Sequence, residues 1–431
     1  MGSAGYTYDY LSPDDLLVPQ AIVNESTLAP DGPAYKALMV LLNQTIILEK
    51  TVESIFRLAD SGLPLLLVGP APNQTLFTAL LSHNNVQQVA DLDSLPSALT
   101  NAGILPRVSL HCSSGPVYPV WRSDIGDGSE YVYIYNDQYE SAFCQANFTT
   151  QFDVVPYIFD AWSGTQRPAA QYNQNGSIVS MLMQLQANET IIIGFTSHGR
   201  TGGPLRSGRA ISSCSGEIPS LSYNQDEKFY ANLHGPARVT CTSGESSFFN
   251  IFPPSAINLS LWGLAIEDWH ASSDPYRVET ALTMHYFHNQ PLVAWSSLGP
   301  GFDAVSGAGR YNSTFIAPEA TRHSELGAVL SLRPVVHTMR AFVNGRRVPP
   351  IDPSDPVMDT SSFVQSGSTN SIMVEVTTPL FNHIKVTANS TMVVGQIAGV
   401  MQPLYALLPP QEYGLLGPVV IQWAVQQELS C

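Results

Sequence analysis

The chain has 431 residues, enough for two to four domains with buried cores, and its 44% hydrophobic content argues against disorder. Its formal net charge is -16, and no basic cluster exceeds Arg346-Arg347, which argues against a nucleic-acid binder because such proteins need a basic face. The low charged fraction of 13%, with 31 glycines and 32 prolines, is typical of a turn-rich, β-rich extracellular protein.

Nine Asn-x-Ser/Thr sequons favour a secreted, N-glycosylated protein. They are Asn24, Asn43, Asn73, Asn147, Asn175, Asn188, Asn258, Asn312 and Asn389. The first residues, MGSAGYTYDYLSPDD, have neither the basic nor the apolar region of a signal peptide. We therefore expect a missing start, as in a fragment, an incomplete gene model or an engineered chain. No membrane span is predicted, because glutamines and prolines interrupt the long uncharged segment after Lys385.

The five cysteines are Cys112, Cys144, Cys214, Cys241 and Cys431. No C-x-x-C occurs, which argues against a zinc site and against thioredoxin-type redox chemistry. An oxidising compartment would allow two disulfides and one remaining thiol. We favour the pair Cys214–Cys241, because both residues lie in one Gly/Ser-rich region; buried free thiols are the alternative.

Residues 1–115 are predicted to form a small α/β domain. An apolar run at 37–41 and a buried-type strand at 65–68 flank a helix whose apolar positions run from Leu48 to Ala59 at helical spacing. Gly62 and Pro64 end that helix, and further helices are expected at 73–81 and 92–102. No G-x-G-x-x-G or G-x-x-x-x-G-K-[ST] motif follows a strand, so we expect a structural βαβ unit and no nucleotide site.

After residue 115 the hydrophobic period changes to two, as in "EYVYIYN". Residues 116–197 are therefore predicted to form an antiparallel β-sandwich, and residues 198–275, rich in Gly, Ser and Pro, a linker or irregular β region. Residues 276–431 contain strand patterns again. Asn344-Gly345, inside "AFVNGRRV", predicts a hairpin because both residues tolerate the positive φ of a type I′ turn. The C-terminal region is thus predicted to be a sandwich or jelly roll.

Motifs in this last region resemble the galactose-binding-like jelly roll attached to many glycoside hydrolases. In that module a "VNG" turn precedes a "G-x-N-x-hydrophobic-x-V-x-V" strand. The matching residues, with one extra residue between Gly and Asn, are Gly367, Asn370, Ile372, Val374 and Val376. "EYGLLGPVVI", at 412–421, resembles the closing strand of the module.

The front half is similar to fungal proteins of glycoside hydrolase family 106, the α-L-rhamnosidase type. The similarity lies in "YDYLSPDDL", "LAPDGPAYKALMVL", "SGLPLLLVG", "YVYIYND" and "VPYIFDAWSGTQRPAAQY". In that family the catalytic carboxylates and the metal site lie in a (β/α) barrel ahead of these segments. The resemblance therefore implies a C-terminal, post-barrel half, and no catalytic residue of the family has a matching position here.

The densest polar-aromatic cluster is "WGLAIEDWHASSD". Its candidate carbohydrate contacts are Trp262, Glu267, Asp268, Trp269 and His270. The favoured alternative is a linker strand with solvated charges, packed by its tryptophans. Neighbouring carboxylates on a strand point to opposite faces, so Glu267 and Asp268 are not expected to form the facing pair that glycoside hydrolysis needs.

No other catalytic, metal or cofactor site is predicted. The sequence has no G-x-S-x-G nucleophile motif. His285 and His288 would share one face of a helix and could bind metal there, but their segment has the pattern of a strand, which separates them.

Two functional hypotheses remain. The first is the accessory half of a secreted, family-106-like glycoside hydrolase acting on rhamnosyl linkages of pectin-type glycans, with an N-terminal catalytic domain missing. The second is a free-standing, lectin-like carbohydrate-binding secreted protein. Both imply a plant cell-wall polysaccharide or oligosaccharide as partner, with neither nucleic acid nor membrane, and an extracellular location.

Overall fold

The computed structural model describes most of the chain. The described residues are 1–42, 48–70, 78–124, 128–150, 154–197, 211–216, 220–223, 229–241, 243–274, 276–319, 325–333, 335, 337–350, 352–353, 355–388 and 408–429. The chain divides into two compact units: the first comprises residues 1–159 and 172–207, and the second comprises residues 160–171 and 208–431.

Most regular elements are β-strands. The strands up to residue 197 are β1 Val23–Asn24, β2 Thr27–Leu28, β3 Leu38–Leu41, β4 Leu65–Val68, β5 Val86–Val89, β6 Val108–Cys112, β7 Val117–Ser123, β8 Glu130–Asn136, β9 Ala142–Thr149, β10 Val154–Asp160, β11 Thr165–Pro168, β12 Asn173–Asn175, β13 Ile178–Leu185 and β14 Thr190–Ser197. Those that follow are β15 Ile211–Gly216, β16 Ser220–Tyr223, β17 Phe229–Leu233, β18 Ala237–Cys241, β19 Ser246–Phe249, β20 Ile257–Asn258, β21 Trp262–Ala271, β22 Thr280–Gln290, β23 Gly307–Ile316, β24 Glu325–Ser331, β25 Thr338–Val343, β26 Arg346–Arg347, β27 Val357–Asp359, β28 Thr369–Thr377 and β29 Val420–Glu428.

The described part of the chain contains few helices. They are α1 Glu49–Asp60, α2 Leu95–Asn101 and α3 Phe381–Ala388, with 3-10 turns at Gly2–Ala4, Pro13–Leu17 and Trp295–Ser297. None of the helices within the described ranges is both long enough and apolar enough to cross a bilayer.

The first part of the first unit is an α/β layer, as predicted. Strands β3, β4 and β5 form a parallel sheet, and α1 connects β3 to β4. The strand predicted at 65–68 is confirmed, and its four residues are all buried. Helix α1 ends before Gly62, whose φ of 85° favours glycine. The helix predicted at 92–102 corresponds to α2, whereas most of the one predicted at 73–81 lies outside the described residues.

The rest of the first unit contains two antiparallel sheets, which confirms a β-sandwich. One has the order β12-β13-β9-β6, and the other includes the order β10-β14-β8-β7. The ring centroids of Phe148 on β9 and Phe195 on β14 lie 5.2 Å apart, so side chains of the two sheets meet in the core. Strand β6 pairs with β9, and the predicted domain boundary at 115/116 therefore separates two strands of one sheet.

A disulfide between Cys112 and Cys144 joins β6 to β9, where the two residues are directly opposed. The sequence did not predict this pair, because strand register brings the residues together from 32 positions apart. Cys241, on β18, is also disulfide-bonded. The backbone of Cys214 lies on the neighbouring strand β15, but the side chains of Cys214 and Cys431 lie outside the described residues.

The pairing Cys214–Cys241 therefore remains a prediction. We expect non-reducing peptide mapping of native protein to recover two disulfide-linked peptide pairs, Cys112–Cys144 and Cys214–Cys241. Recovery of Cys241 joined to Cys431 would contradict the second pair, and Cys112–Cys144 in the same digest is the internal control.

The second unit is built around a sandwich of two six-stranded sheets. One has the order β22-β21-β23-β28-β25-β26, and the other has the order β16-β17-β29-β24-β27 with β20 beside β29. Their shared core contains three fully buried tryptophans, Trp262, Trp295 and Trp423. The ring of Phe315 on β23 lies 6.4 Å from that of Trp423 on β29, which brings the two sheets into contact.

The predicted Asn344-Gly345 hairpin is confirmed between β25 and β26. Both residues have positive φ, 52° and 74°, as a type I′ turn requires. The structure differs from the predicted boundary at 275/276. Strand β21 lies before that boundary, but it pairs with β22 and β23, which lie after it in the same six-stranded sheet. The sequence of this segment resembles a linker because its polar second half hides the alternation of Trp262, Leu264 and Ile266, all buried.

Candidate functional site

The five candidate residues on β21 fall into three environments. Trp262 is 1% exposed and donates its indole Nε1–H to the carbonyl oxygen of Leu259, at 2.9 Å. It belongs to the sandwich core and contributes no surface to a ligand. The remaining four divide between the two faces of the strand, because successive strand residues point in opposite directions.

Glu267 and Trp269 share the outer face of the sheet. One carboxylate oxygen of Glu267, Oε1, accepts a hydrogen bond from Arg310 Nη1 at 2.6 Å, and Oε2 accepts one from Trp269 Nε1 at 3.3 Å. Trp269 is 45% exposed. The carboxylate thus orients the indole, and nearly half of the residue's surface is open to solvent.

Arg310 is the centre of an ion-pair row across four strands. Its Nε donates to Glu375 Oε2 at 3.0 Å, and Arg340 Nη1 donates to Glu375 Oε1 at 3.4 Å. The order Glu267, Arg310, Glu375, Arg340 follows the strand order β21-β23-β28-β25. The pKa of the Arg310 guanidinium is raised above its ordinary value, mainly by the hydrogen bond to Glu267.

Asp268 and His270 lie on the opposite face from Glu267. Asp268 Oδ2 is 3.5 Å from His285 Nε2 on β22, and the ring of His285 packs against Phe302 at 4.9 Å between centroids. His270 Nε2 is 2.9 Å from Thr283 Oγ1. The segment that carries His285 and His288 is a strand, as predicted, so their side chains point to opposite faces.

Exposed apolar side chains border Glu267 and Trp269. Leu282 lies opposite Trp269 across the β21–β22 pair, and Tyr286 lies opposite Ala265. They are 53% and 66% exposed, respectively. The outer face of β21–β22 therefore combines flat aromatic rings with carboxylate and guanidinium groups, a combination suited to stacking and hydrogen bonding.

Four residues of this face were not predicted from the sequence: Arg310, Glu375, Arg340 and Tyr286. Each lies on a different strand from the predicted cluster, and no sequence spacing reports which strands become neighbours. Among the residues that the structure describes, no three His, Cys, Asp or Glu side chains converge on a point where a metal ion could bind.

We expect Arg310→Met to lower the free energy of unfolding by about 1–2 kcal/mol, because two partly buried carboxylates lose their shared partner. The expected loss is small because the Arg310 side chain is 40% exposed, so solvent screens its interaction with Glu267. Arg340→Met is the matched control: its side chain is 59% exposed, and we expect a loss below about 1 kcal/mol. Urea unfolding of both variants checks this, and equal losses would contradict a central role for Arg310.

Six of the nine sequon asparagines lie within the described residues, and five of those are exposed: Asn24, Asn175, Asn188, Asn258 and Asn312. The sixth, Asn147, is half-buried on β9, and its Oδ1 accepts a hydrogen bond from Ser180 Oγ at 2.7 Å. Asn43, Asn73 and Asn389 lie outside the described residues. Five exposed sequons are therefore sterically open to modification.

No model of a known protein family matches the chain, and no curated protein matches it. Among solved structures, it resembles a rhamnosidase from Novosphingobium sp. PP1Y, with a TM-score of 0.62 and 17% sequence identity. The match covers 98% of this chain and 36% of that one, so this chain spans about a third of the rhamnosidase's length. The likeness shows a shared fold.

The weaker matches include two β-glucuronidases. That of Faecalibacterium prausnitzii has a TM-score of 0.24 and 13% identity, and the match covers 41% of this chain and 33% of that one. That of Dictyoglomus thermophilum has a TM-score of 0.24 and 16% identity, over 40% of this chain and 28% of that one. These TM-scores are too low to support an argument about fold or function.

Proposed function

We propose that this chain is a non-catalytic part of a secreted carbohydrate-active protein whose complete form cleaves rhamnosyl linkages of pectin-type glycans. The observation that supports the proposal is the fold shared with a rhamnosidase along 98% of this chain, while 36% of the rhamnosidase is covered. The sequence motifs that resemble fungal family-106 proteins and their galactose-binding-like jelly roll point the same way.

The surface we assign to carbohydrate is the outer face around Trp269. A sugar ring has apolar C–H faces and a polar rim, so it fits an exposed indole beside charged hydrogen-bonding groups. Glu267 supplies a hydrogen-bond acceptor next to the ring, and Arg310 keeps that carboxylate in place. Asp268 and His270 face the other way and are not part of this surface.

The same geometry argues against hydrolysis by this chain. Glycoside hydrolysis uses two carboxyl groups that face one bond from opposite sides, one of them as a proton donor. Glu267 and Asp268 lie on opposite faces of β21. Glu267 and Glu375 share one face, but both accept hydrogen bonds from the Arg310 guanidinium, which suits bracing of the sheet.

The first test of this proposal is turnover. The purified chain should not hydrolyse aryl α-L-rhamnosides or rhamnogalacturonan oligosaccharides. Turnover that disappears in Glu267→Gln or Asp268→Asn would overturn the non-catalytic assignment and place a catalytic site on β21.

The second test is binding of pectic oligosaccharides, followed by calorimetry. Trp269→Ala should weaken binding by about tenfold, or ~1.4 kcal/mol, because it removes the stacking ring. Trp162→Ala is the matched control, since Trp162 is 50% exposed and lies elsewhere on the chain; it should leave the affinity unchanged. No binding, or equal losses in both variants, would contradict the assigned surface.

Secretion predicts N-linked glycans on the native protein. Endoglycosidase treatment of protein from its natural source should lower the apparent mass, and glycopeptide mapping should find Asn147 less occupied than the exposed sequons. The reason is that Asn147 lies within β9 and is hydrogen-bonded through its own amide oxygen. An unchanged mass after treatment would contradict the secreted assignment.

A further inference from the structure

In the second unit, the sheet that contains β21 ends in an unusually long edge strand, β22. β22 has 11 residues, and in the part of the chain that the structure describes it pairs with β21 alone. One β-bulge disturbs the register, near Asn289, which has a positive φ of 51°. Residues 280–287 therefore form a regular edge segment of eight residues, in which alternate residues direct their backbone N–H and C=O groups away from β21.

This edge has few of the features that normally keep sheet edges apart. Protected edges are short, or they carry proline, lysine or other charged residues. The strand reads TALTMHYFHNQ and contains no Lys, Arg, Asp, Glu or Pro. Its outer face exposes Leu282 and Tyr286, 53% and 66% accessible to solvent.

The opposite edge of the same sheet shows the contrast. β26 consists of two residues, Arg346 and Arg347, and both are exposed. In the first unit, the edge strand β7 contains Pro119 and Arg122, and the edge strand β12 has three residues. β22 is longer than each of these edges and, unlike β26 and β7, it contains no charged residue.

We propose that two copies of this chain associate by antiparallel pairing of their β22 strands. A two-fold axis at Met284 places Met284 opposite Met284 of the second copy, and Leu282 opposite Tyr286 of the second copy. Because the side-chain period of a strand is two, all these apolar residues lie on the outer face, and no like charges oppose one another.

A second copy fits this edge better than an open series of copies. Pairing β22 with itself uses the free edge of both molecules, and the Arg346–Arg347 edge at the far side resists further addition. The assembly therefore closes as a two-fold dimer, the commonest symmetry among soluble oligomers, with one continuous sheet across it. This inference does not require the proposed carbohydrate function, although Leu282 lies opposite Trp269 and the two surfaces adjoin.

Sedimentation equilibrium of the purified chain tests the proposal first. The monomer mass is 46.7 kDa before any glycan, and we expect a concentration-dependent species of twice the monomer mass. A chain that stays monomeric at about 100 μM, within the range where weak specific association is detectable, would overturn the proposal.

Charge pairs across the edge test the register. Leu282→Lys/Tyr286→Lys sets lysines opposite lysines and should weaken dimerisation at least about tenfold. Leu282→Lys/Tyr286→Glu removes the same apolar groups but sets lysine opposite glutamate, so it should dimerise about tenfold more tightly than the first variant. Both positions are exposed, so circular dichroism should confirm an unchanged fold. Equal dissociation constants for the two variants would overturn the pairing.

Cysteine cross-linking gives a second readout. Met284→Cys should form an interchain disulfide under mild oxidation, because the residue meets its own copy at the axis. Thr280→Cys is the control: each copy of it lies about 27 Å from the other in this register, at ~3.4 Å per residue, and should not cross-link. Tyr276 and Val278 are exposed apolar residues just before β22 and lie outside the proposed pairing. A dimer that cross-links equally at both cysteine positions, or that dissociates only when Tyr276 and Val278 are changed to serine, would contradict the proposal.

Discussion

We expect Gly414→Ala to lower the free energy of unfolding of the second unit by about 2–5 kcal/mol, combining backbone strain with overpacking. Gly414 has a φ of 109°, which L side chains rarely adopt. An added Cβ would lie 2.7 Å from Tyr311 Oη and 2.8 Å from Trp295 Nε1. Those two atoms are hydrogen-bonded to each other at 2.7 Å inside the core.

The methyl group cannot be accommodated by a small shift. Tyr311 Oη also accepts a hydrogen bond from the Leu415 amide at 3.0 Å, and burial raises the pKa of Tyr311 to about 12. Movement of the Tyr311 ring would leave buried donors without an acceptor, at about 1–3 kcal/mol for each lost partner.

Gly345→Ala separates the two causes. Gly345 also has a positive φ, 74°, but no heavy atom lies within 4 Å of the position of an added Cβ. We expect Gly345→Ala to lower the free energy of unfolding by about 1–2 kcal/mol, from backbone strain alone. Urea unfolding of the two variants and the parent measures the difference, and a loss at Gly414 no larger than that at Gly345 would contradict the packing argument.

The second large effect is expected at Asn370, whose replacement by alanine should cost about 2–4 kcal/mol through loss of a buried hydrogen-bond network. Asn370 is 0% exposed. Its Oδ1 accepts from the Gln365 amide and from Asn344 Nδ2, both at 2.7 Å, and its Nδ2 donates to the carbonyl oxygens of Gln365 and Ser368, both at 2.9 Å.

Asn370 connects the β25–β26 hairpin to the loop before β28. The Nδ2 of Asn344 also donates to the carbonyl oxygen of Phe363 at 2.9 Å, so the two asparagines hold three backbone segments together. Both residues belong to the motif that resembles the galactose-binding-like module. Their hydrogen bonds within the described residues give that motif a structural explanation.

Asn250→Ala is the control for Asn370→Ala, because Asn250 is an exposed asparagine in the same unit. We expect Asn250→Ala to change the free energy of unfolding by no more than about 0.5 kcal/mol. Equal stability of the Asn370→Ala variant and the parent, measured by urea unfolding, would show that the network is not stabilising.

The sequence was sufficient to predict several local elements. β4 was expected from its apolar run and was found at Leu65–Val68, and the Asn344-Gly345 turn was found where two residues with positive φ were expected. It also indicated the mostly β architecture after residue 115. These features depend on a few neighbouring residues, whose periodicity and backbone preferences are readable without knowledge of the fold.

The neighbours of each strand could not be predicted from the sequence, because they depend on the tertiary structure. Arg310 and Glu375 are 65 positions apart, and Cys112 and Cys144 are 32 positions apart, yet each pair is joined by register across adjacent strands. The alternation within β21 indicated that Glu267 and Asp268 point to opposite faces, but not that Glu267 would pair with Arg310. The partner of a strand is chosen by packing over the whole sheet, and a local pattern contains no record of that choice.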